Sequence, residues 1–131
     1  MKYEILITLT NIKLASKHNL GYIMVPKTKN VRFFLESMQK QGMISSFCVS
    51  YDRLNYKVYL SLYSSVNEIL KKIRLISTKS RPFYLSFLEI SKRYKVKDFL
   101  VLSTSKGILL SEDIFLFKIG GFVLSDAFSF K

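Results

Sequence analysis

Ser103, Thr104, Ser105 and Lys106 stand in the order S-x-x-K, an arrangement in which a lysine can assist proton removal from a serine nucleophile during acyl transfer. Enzymes built that way also carry S-D-N and K-T-G strings, and neither follows here. Lys106 precedes Gly107, so the G-x-x-x-x-G-K-[ST] order of a phosphate-cradling loop is missing too. One histidine (His18), one cysteine (Cys48) and scattered acids supply no metal-ligand spacing. Glu112 and Asp113 are adjacent and would point to different sides of a helix. They suit the first turn of a helix capped by Ser111, where negative charge meets the positive end of the dipole. The expectation is a chain with no catalytic residue, no metal, no cofactor and no small-molecule substrate.

The same residues can do other work. Small hydroxyl side chains followed by Lys106 and Gly107 offer hydroxyl donors and acceptors, exposed backbone N–H groups and one ammonium, with little bulk in the way. Such a corner is either an ordinary β-turn or a surface that lets a phosphate and ribose backbone come close, with hydroxyls aimed at the shallow minor groove of RNA. Downstream, Gly120 and Gly121 enter another apolar run, Ile119 to Leu124. Two corners of small residues bracketing a short helix could form one concave surface.

Charge favours the polyanion. Lys and Arg number 21 against 9 Asp and Glu, a formal net charge of +12. Between Lys71 and Lys97 there are nine basic residues and one acid, Glu89. That segment is expected to sit near phosphate, with Lys13, Lys27 and Lys29 adding salt-dependent attraction. The longest apolar runs are far shorter than the roughly 20 residues that span a bilayer, so no membrane span is expected. The single cysteine excludes an internal disulfide framework. Cys48 lies between Phe47 and Val49 and reads as a buried or half-buried strand residue.

The elements that must position these residues are legible from periodicity. Ile5, Leu9, Ile12 and Ser16 recur at helical spacing, predicting an amphipathic helix over 3–17. Residues 22–25 form a short β-run closed by Pro26. Thr28 is a suitable N-cap for a second helix that buries Val31, Phe34, Leu35 and Met38 and stops at Gly42. Residues 44–51 and 56–63 pair as a hairpin across Asp52 to Asn55, with Val58, Leu60 and Leu62 facing the core. Further on, 69–76 reads as a strand or short helix, 77–82 as a connector, 84–88 as a strand and 89–95 as one or two helical turns. Strands at 99–102 and 108–110 flank the STSKG turn, a short helix covers 111–118, and 122–130 closes the chain. The fold class is α+β, in two small lobes. An N-terminal α-β-α-β-β lobe covers 1–64, a basic strand and connector 65–84, and a mostly antiparallel, RNA-binding β lobe with short helices 85–131.

In this context the string VLSTSKGILLSED, followed by IGGFVL, resembles the C-terminal signature of the bacterial ribosomal protein S-eight family, VSTSKGxMTDxEAR followed by GGE. Upstream, LTNIK at Leu9 to Lys13 is similar to that family's LTRIR helix and Pro26 with Lys29 to its P-S-S-K segment. Gly42 matches the glycine ending its second helix, and Ser80, Arg81 and Pro82 resemble its S-R/K-P-G connector. The likeness runs in order along almost the whole chain. It implies a structural protein of the small ribosomal subunit that binds a central-domain stem of small-subunit rRNA early in assembly and touches neighbouring ribosomal proteins. By that likeness Ser103, Thr104, Ser105, Lys106, Gly107, Gly120 and Gly121 form the principal RNA-contacting surface, joined by Arg81 and by Phe87, which stands where the family often has a connector-strand tyrosine.

Some positions depart from the family pattern. Phe83 replaces a connector glycine, Val96 and Asp98 replace glycines ahead of the STSKG strand, and Phe122 replaces the acid after the glycine pair. Phe115 and Leu116 stand where arginines are common, and the connector around Ser77 to Ser80 is longer by two or three residues. Phe115, Phe122 and Phe128 are therefore either core of the second lobe or an apolar patch for another ribosomal protein. Heavy use of Phe, Tyr, Ile, Leu, Lys and Asn fits an A·T-rich genome, and the opening MKYEILITLTNIKL lacks an import presequence or a secretory cleavage site. Both point to a mitochondrial ribosome, with plastid or bacterial cytoplasm as alternatives. A non-ribosomal RNA-binding regulator is the rival function.

Overall fold

The computed structural model describes residues 3–76 and 83–128, which fall in two compact units divided between Lys72 and Ile73. Arg81 lies outside the described residues, as does the rest of the predicted 77–82 connector.

The first unit begins with α1 (Tyr3–Lys17). Ile5, Leu9, Ile12 and Ser16 are all buried on it, as the helical spacing predicts, and Thr8 turns its hydroxyl back to donate to the carbonyl of Glu4 at 2.9 Å. Next come β1 (Tyr22–Pro26) and α2 (Lys29–Lys40). Thr28 caps α2 by accepting from the N–H of Val31 at 3.2 Å, and Val31, Phe34, Leu35 and Met38 are its buried face. At the other end Gly42 takes φ +78°, its N–H donates to the Gln39 carbonyl at 3.1 Å, and the N–H of Met43 donates to the Met38 carbonyl at 2.9 Å. That pair of bonds is a Schellman cap, which needs the left-handed backbone that glycine adopts without strain.

β2 (Ile44–Val49) and β3 (Asn55–Leu60) form the expected antiparallel hairpin, and the sheet order is β1-β3-β2. Pro26 ends β1, an edge strand, where a missing N–H costs no ladder bond. Alternation buries Tyr56, Val58 and Leu60 and leaves Lys57 and Tyr59 on the open face. Two expectations fail here. Leu62 lies beyond the end of β3 and is 94% exposed, because the period of two no longer applies once the strand has stopped. Cys48 is exposed, since its register opposite Lys57 puts it on the open face. The unit closes with α3 (Ser64–Lys71); the 69–76 stretch that the sequence left open as strand or short helix divides into the end of this helix and a two-residue strand at Arg74–Leu75.

Among the described residues, the second unit is one antiparallel sheet with two short helices. Its strands are β4 (Arg74–Leu75), β5 (Tyr84–Leu85), β6 (Phe99–Thr104), β7 (Gly107–Leu110) and β8 (Gly121–Ala127), in the order β4-β8-β6-β7 with β5 also paired to β8. Leu85, Ile90, Tyr94, Leu100, Leu102, Leu109, Ile114 and Val123 make its core. Phe99 to Leu102 are buried without alternation, which is why they read as a continuous apolar run.

The predicted strand over 84–88 is corrected: β5 ends at Leu85, and α4 (Phe87–Arg93) starts two residues ahead of the predicted helix. The cause is a capping box. Ser86 accepts from the N–H of Glu89 at 3.3 Å, while the Glu89 carboxylate accepts from the Ser86 N–H at 3.0 Å. The Ser86 N–H, then the Ser86 hydroxyl, hold the Glu89 carboxyl below its ordinary value of 4.5. A depressed carboxyl stabilises the fold above its unfolded value, and that contribution is lost as pH falls through the folded one. Thermal melts of wild type and Glu89→Gln across pH should therefore show a wild-type advantage at neutral pH that vanishes below the ordinary glutamate range. A constant difference across that range would contradict the capping role.

α5 (Ser111–Phe117) also departs in detail. Its N-cap is Leu110, with no side-chain capping bond, and Ser111 is a buried first helical residue. Glu112 and Asp113 do lie in the first turn, on the favourable end of the dipole.

Candidate nucleic-acid interface

β6 and β7 are joined by a tight hairpin. Thr104 pairs with Gly107, so Ser105 and Lys106 alone make the bend. The Thr104 hydroxyl accepts from the N–H of Lys106 at 3.1 Å and donates to the Gly107 carbonyl at 2.9 Å, fixing the corner from inside. Gly107 supplies the positive φ, +103°, that lets β7 start, and the space where a side chain would project is open. Ser105 and Lys106 are exposed, and Ser103 and Thr104 are half-buried. The Lys106 ammonium lies 4.8 Å from the centre of the Phe117 ring at the end of α5, a cation–π contact that keeps the charge beside the hairpin.

The chain leaves α5 through Lys118 in the left-handed region at φ +55° and returns through Gly120 and Gly121 into β8. β8 then pairs with β6 so that Phe122 faces Ser103 and Val123 faces Leu102. This pairing brings the two small-residue corners together. Ser103, Thr104, Ser105, Gly120 and Gly121, with Tyr84 and Phe122, line one open groove of about 330 Å³. Tyr84 and Phe122 stand at its edge as a T-shaped pair with centroids 5.3 Å apart, and both rings are exposed.

The glycine pair does a job that spacing alone did not reveal. A Cβ on Gly120 would lie 2.5 Å from the Leu85 carbonyl oxygen, and one on Gly121 would lie 2.5 Å from the Ser103 carbonyl oxygen and 2.9 Å from Thr104 Cγ2. The room left by the absent side chains is therefore filled mainly by the chain's own backbone: Gly120 lets the chain close on the end of β5, and Gly121 seats β8 against the hairpin strand β6. The signal was present as a glycine at a strand entry, where close backbone approach is a standard reading.

The other predicted site residues are distributed differently. Phe87 opens α4, half-buried on the core of the second unit, and packs edge-on to Phe115 at 5.8 Å; it is not on a connector strand. Lys13 is half-buried on α1, while Lys27 and Lys29 are exposed, the first between β1 and α2 and the second at the start of α2. All three lie in the first unit, so the groove is built without them. Phe115 belongs to the second unit's core margin, which argues against its use as an outer patch. Phe122 and Phe128 stay 44% and 43% exposed. Among the described residues no His, Cys, Asp and Glu gather in a metal-holding group, and no described helix is long and apolar enough to cross a membrane.

Further along β8 from the groove lies a buried carboxylate. Asp126 in β8 is fully buried and accepts two bonds from the Arg74 guanidinium, both 2.9 Å, and one from the Tyr94 hydroxyl. Burial, and then the bond to Asp126, push the Tyr94 hydroxyl above the ordinary tyrosine range, so it remains a proton donor. The Asp126 carboxylate raises Arg74 further above its ordinary value. Phe128 stacks on Tyr94 at 5.2 Å, closing the cluster.

Comparison with known proteins covers nearly the whole chain. A family model described as Ribosomal protein S8 matches residues 4–128. The chain is 30% identical over 125 residues to the small ribosomal subunit protein uS8 of Orientia tsutsugamushi (strain Boryong), spanning 92% of each. It is 37% identical over 101 residues to the uS8m protein of Acanthamoeba castellanii, covering 76% of this chain and 78% of the relative. Similarity to the uS8 of Acholeplasma laidlawii is 30% over 118 residues, 89% of this chain.

Proposed function

The chain belongs to the ribosomal protein S8 family of the small subunit, and from that premise we propose that it binds a central-domain stem of small-subunit rRNA and supports subunit assembly in a mitochondrial ribosome. The observation that carries the reading is the shared groove of the STSKG hairpin and the glycine pair. Two corners separated by a short helix form one concave surface that carries hydroxyls, with the Lys106 ammonium beside it. Ser103, Thr104 and Ser105 supply hydroxyls to sugar and base edges in a shallow minor groove, Gly107 keeps the approach clear, and Lys106 neutralises a phosphate. Gly120 and Gly121 act through the groove's shape. Lys13, Lys27 and Lys29, together with Arg81 and the other basic residues from Lys71 to Lys97, add sequence-independent attraction to the same RNA.

The family is one of structural ribosomal proteins, and the reading assigns no reaction. Phe122 stands in place of an acid at the groove edge, so an aromatic contact replaces a polar one there. Exposed Phe122 and Phe128 are the remaining candidates for contact with a neighbouring ribosomal protein. The mitochondrial placement is supported by the identity to the Acanthamoeba uS8m and by the residue usage of an A·T-rich genome.

Filter binding to a central-domain transcript across a salt series tests the core of this. Lys106→Ala should weaken binding at every stem sequence and lower the salt slope by about 1. Unchanged affinity and slope would remove Lys106 from the interface. Sedimentation of the tagged chain separates the rival regulator: it should run with the mitochondrial small subunit, and a chain found free of subunits would favour the regulator.

A further inference from the structure

The first unit carries a second basic concavity that the family likeness does not assign. At the β2–β3 hairpin, Lys27, Val49, Ser50, Tyr51 and Arg53 line an open pocket of about 530 Å³. Tyr51 is fully exposed, and Lys27 and Arg53 are exposed as well. The bend beneath it is tightly bonded. The N–H of Ser50 donates to the Asn55 carbonyl at 2.8 Å, that of Arg53 to the Ser50 carbonyl at 3.0 Å, and that of Leu54 to the Asp52 carboxylate at 2.9 Å. Asp52, the one acid in the bend, also accepts from the Ser50 hydroxyl, so its charge is directed into the turn. Arg53 takes φ +62°, a left-handed conformation unusual for arginine.

A fully exposed tyrosine on a bonded turn, flanked by two cations, has the chemistry of a stacking platform for one unpaired nucleotide. The ring offers a face to the base, and the ammonium and guanidinium meet the flanking phosphates. Because the turn is held by its own hydrogen bonds, little backbone freedom is lost on binding. Both charged side chains lining the pocket, Lys27 and Arg53, are positive, which favours RNA over a protein partner. We propose that Tyr51, with Lys27 and Arg53, binds a single-stranded nucleotide of the rRNA, at a site separate from the STSKG groove. This deepens the proposed rRNA binding and rests on it.

The test compares two probes with the full chain: a short single-stranded oligouridylate and the central-domain stem transcript. Tyr51→Ala should weaken oligouridylate binding about tenfold, while Tyr51→Phe retains it. Lys27→Ala and Arg53→Ala should each lower the oligouridylate salt slope by about 0.7. Stem affinity should be unchanged in Tyr51→Ala. Photo-crosslinking from a thiouridine-bearing strand should mark the Tyr51 peptide. Adducts found only elsewhere, or equal oligouridylate affinity in wild type and Tyr51→Ala, overturn the proposal while leaving the stem reading intact. Loss of stem binding by the wild type overturns both. Should Tyr51→Ala leave both RNAs unaffected yet reduce retention of a neighbouring protein in reconstituted subunits, the pocket is a protein contact and the proposal fails.

Discussion

Gly121→Ala is expected to destabilise the second unit by about 3 kcal/mol and to abolish specific stem binding with it. The new methyl would sit 2.5 Å from the Ser103 carbonyl oxygen, and a backbone atom in the centre of a sheet cannot rotate aside as a flexible side chain can. β6 and β8 would have to separate where Ser103 faces Phe122, two residues that line the groove. Stability and binding should therefore fall together. Gly21→Ala is the control, because nothing lies within 4 Å of its added Cβ, and it should stay within about 0.5 kcal/mol of wild type. Urea unfolding followed by circular dichroism gives the first quantity and filter binding the second. A Gly121→Ala protein of wild-type stability would mean that the strands yield freely, and the seating role would be wrong.

Arg74→Ala should cost a comparable amount, about 3 kcal/mol, although the arginine side chain is itself 61% exposed. The reason lies in its partner. Asp126 is fully buried, and without the guanidinium its negative charge would keep the Tyr94 hydroxyl as its one remaining side-chain donor among the bonds described. Removing the acid instead leaves a cation that can turn to water, so Asp126→Ala alone should be milder, with the lost bond to Tyr94 as its main cost. The double variant Arg74→Ala/Asp126→Ala should then be more stable than Arg74→Ala. Chemical denaturation of the four proteins closes the cycle. Strict additivity would show that the two side chains do not depend on one another.

Local rules made much of this fold readable. The limits of α1 follow from helical spacing, and both ends of α2 from Thr28 and Gly42, because each depends on bonds made within a few residues. The STSKG hairpin is of the same kind, closed by the Thr104 hydroxyl. Errors fell where local preference and context part. Tyr84 to Leu88 has strand composition, yet the reciprocal bonds of Ser86 and Glu89 start a helix after Leu85. Cys48 and Leu62 look apolar enough for a core, and the register of β2 and the end of β3 turn them outward.

Composition, charge and the order of motifs were sufficient for the α+β class and for the family, since those properties are written in residue types and short-range spacing. The sequence already suggested that two corners thirteen positions apart could share a concave surface, but the pairing that brings them together, the backbone contact behind Gly120 and Gly121, and the burial of Asp126 against Arg74 came only from the tertiary structure. Each is set by which strands pair across β8 and in what register, and strand pairing between distant segments depends on how the whole sheet packs.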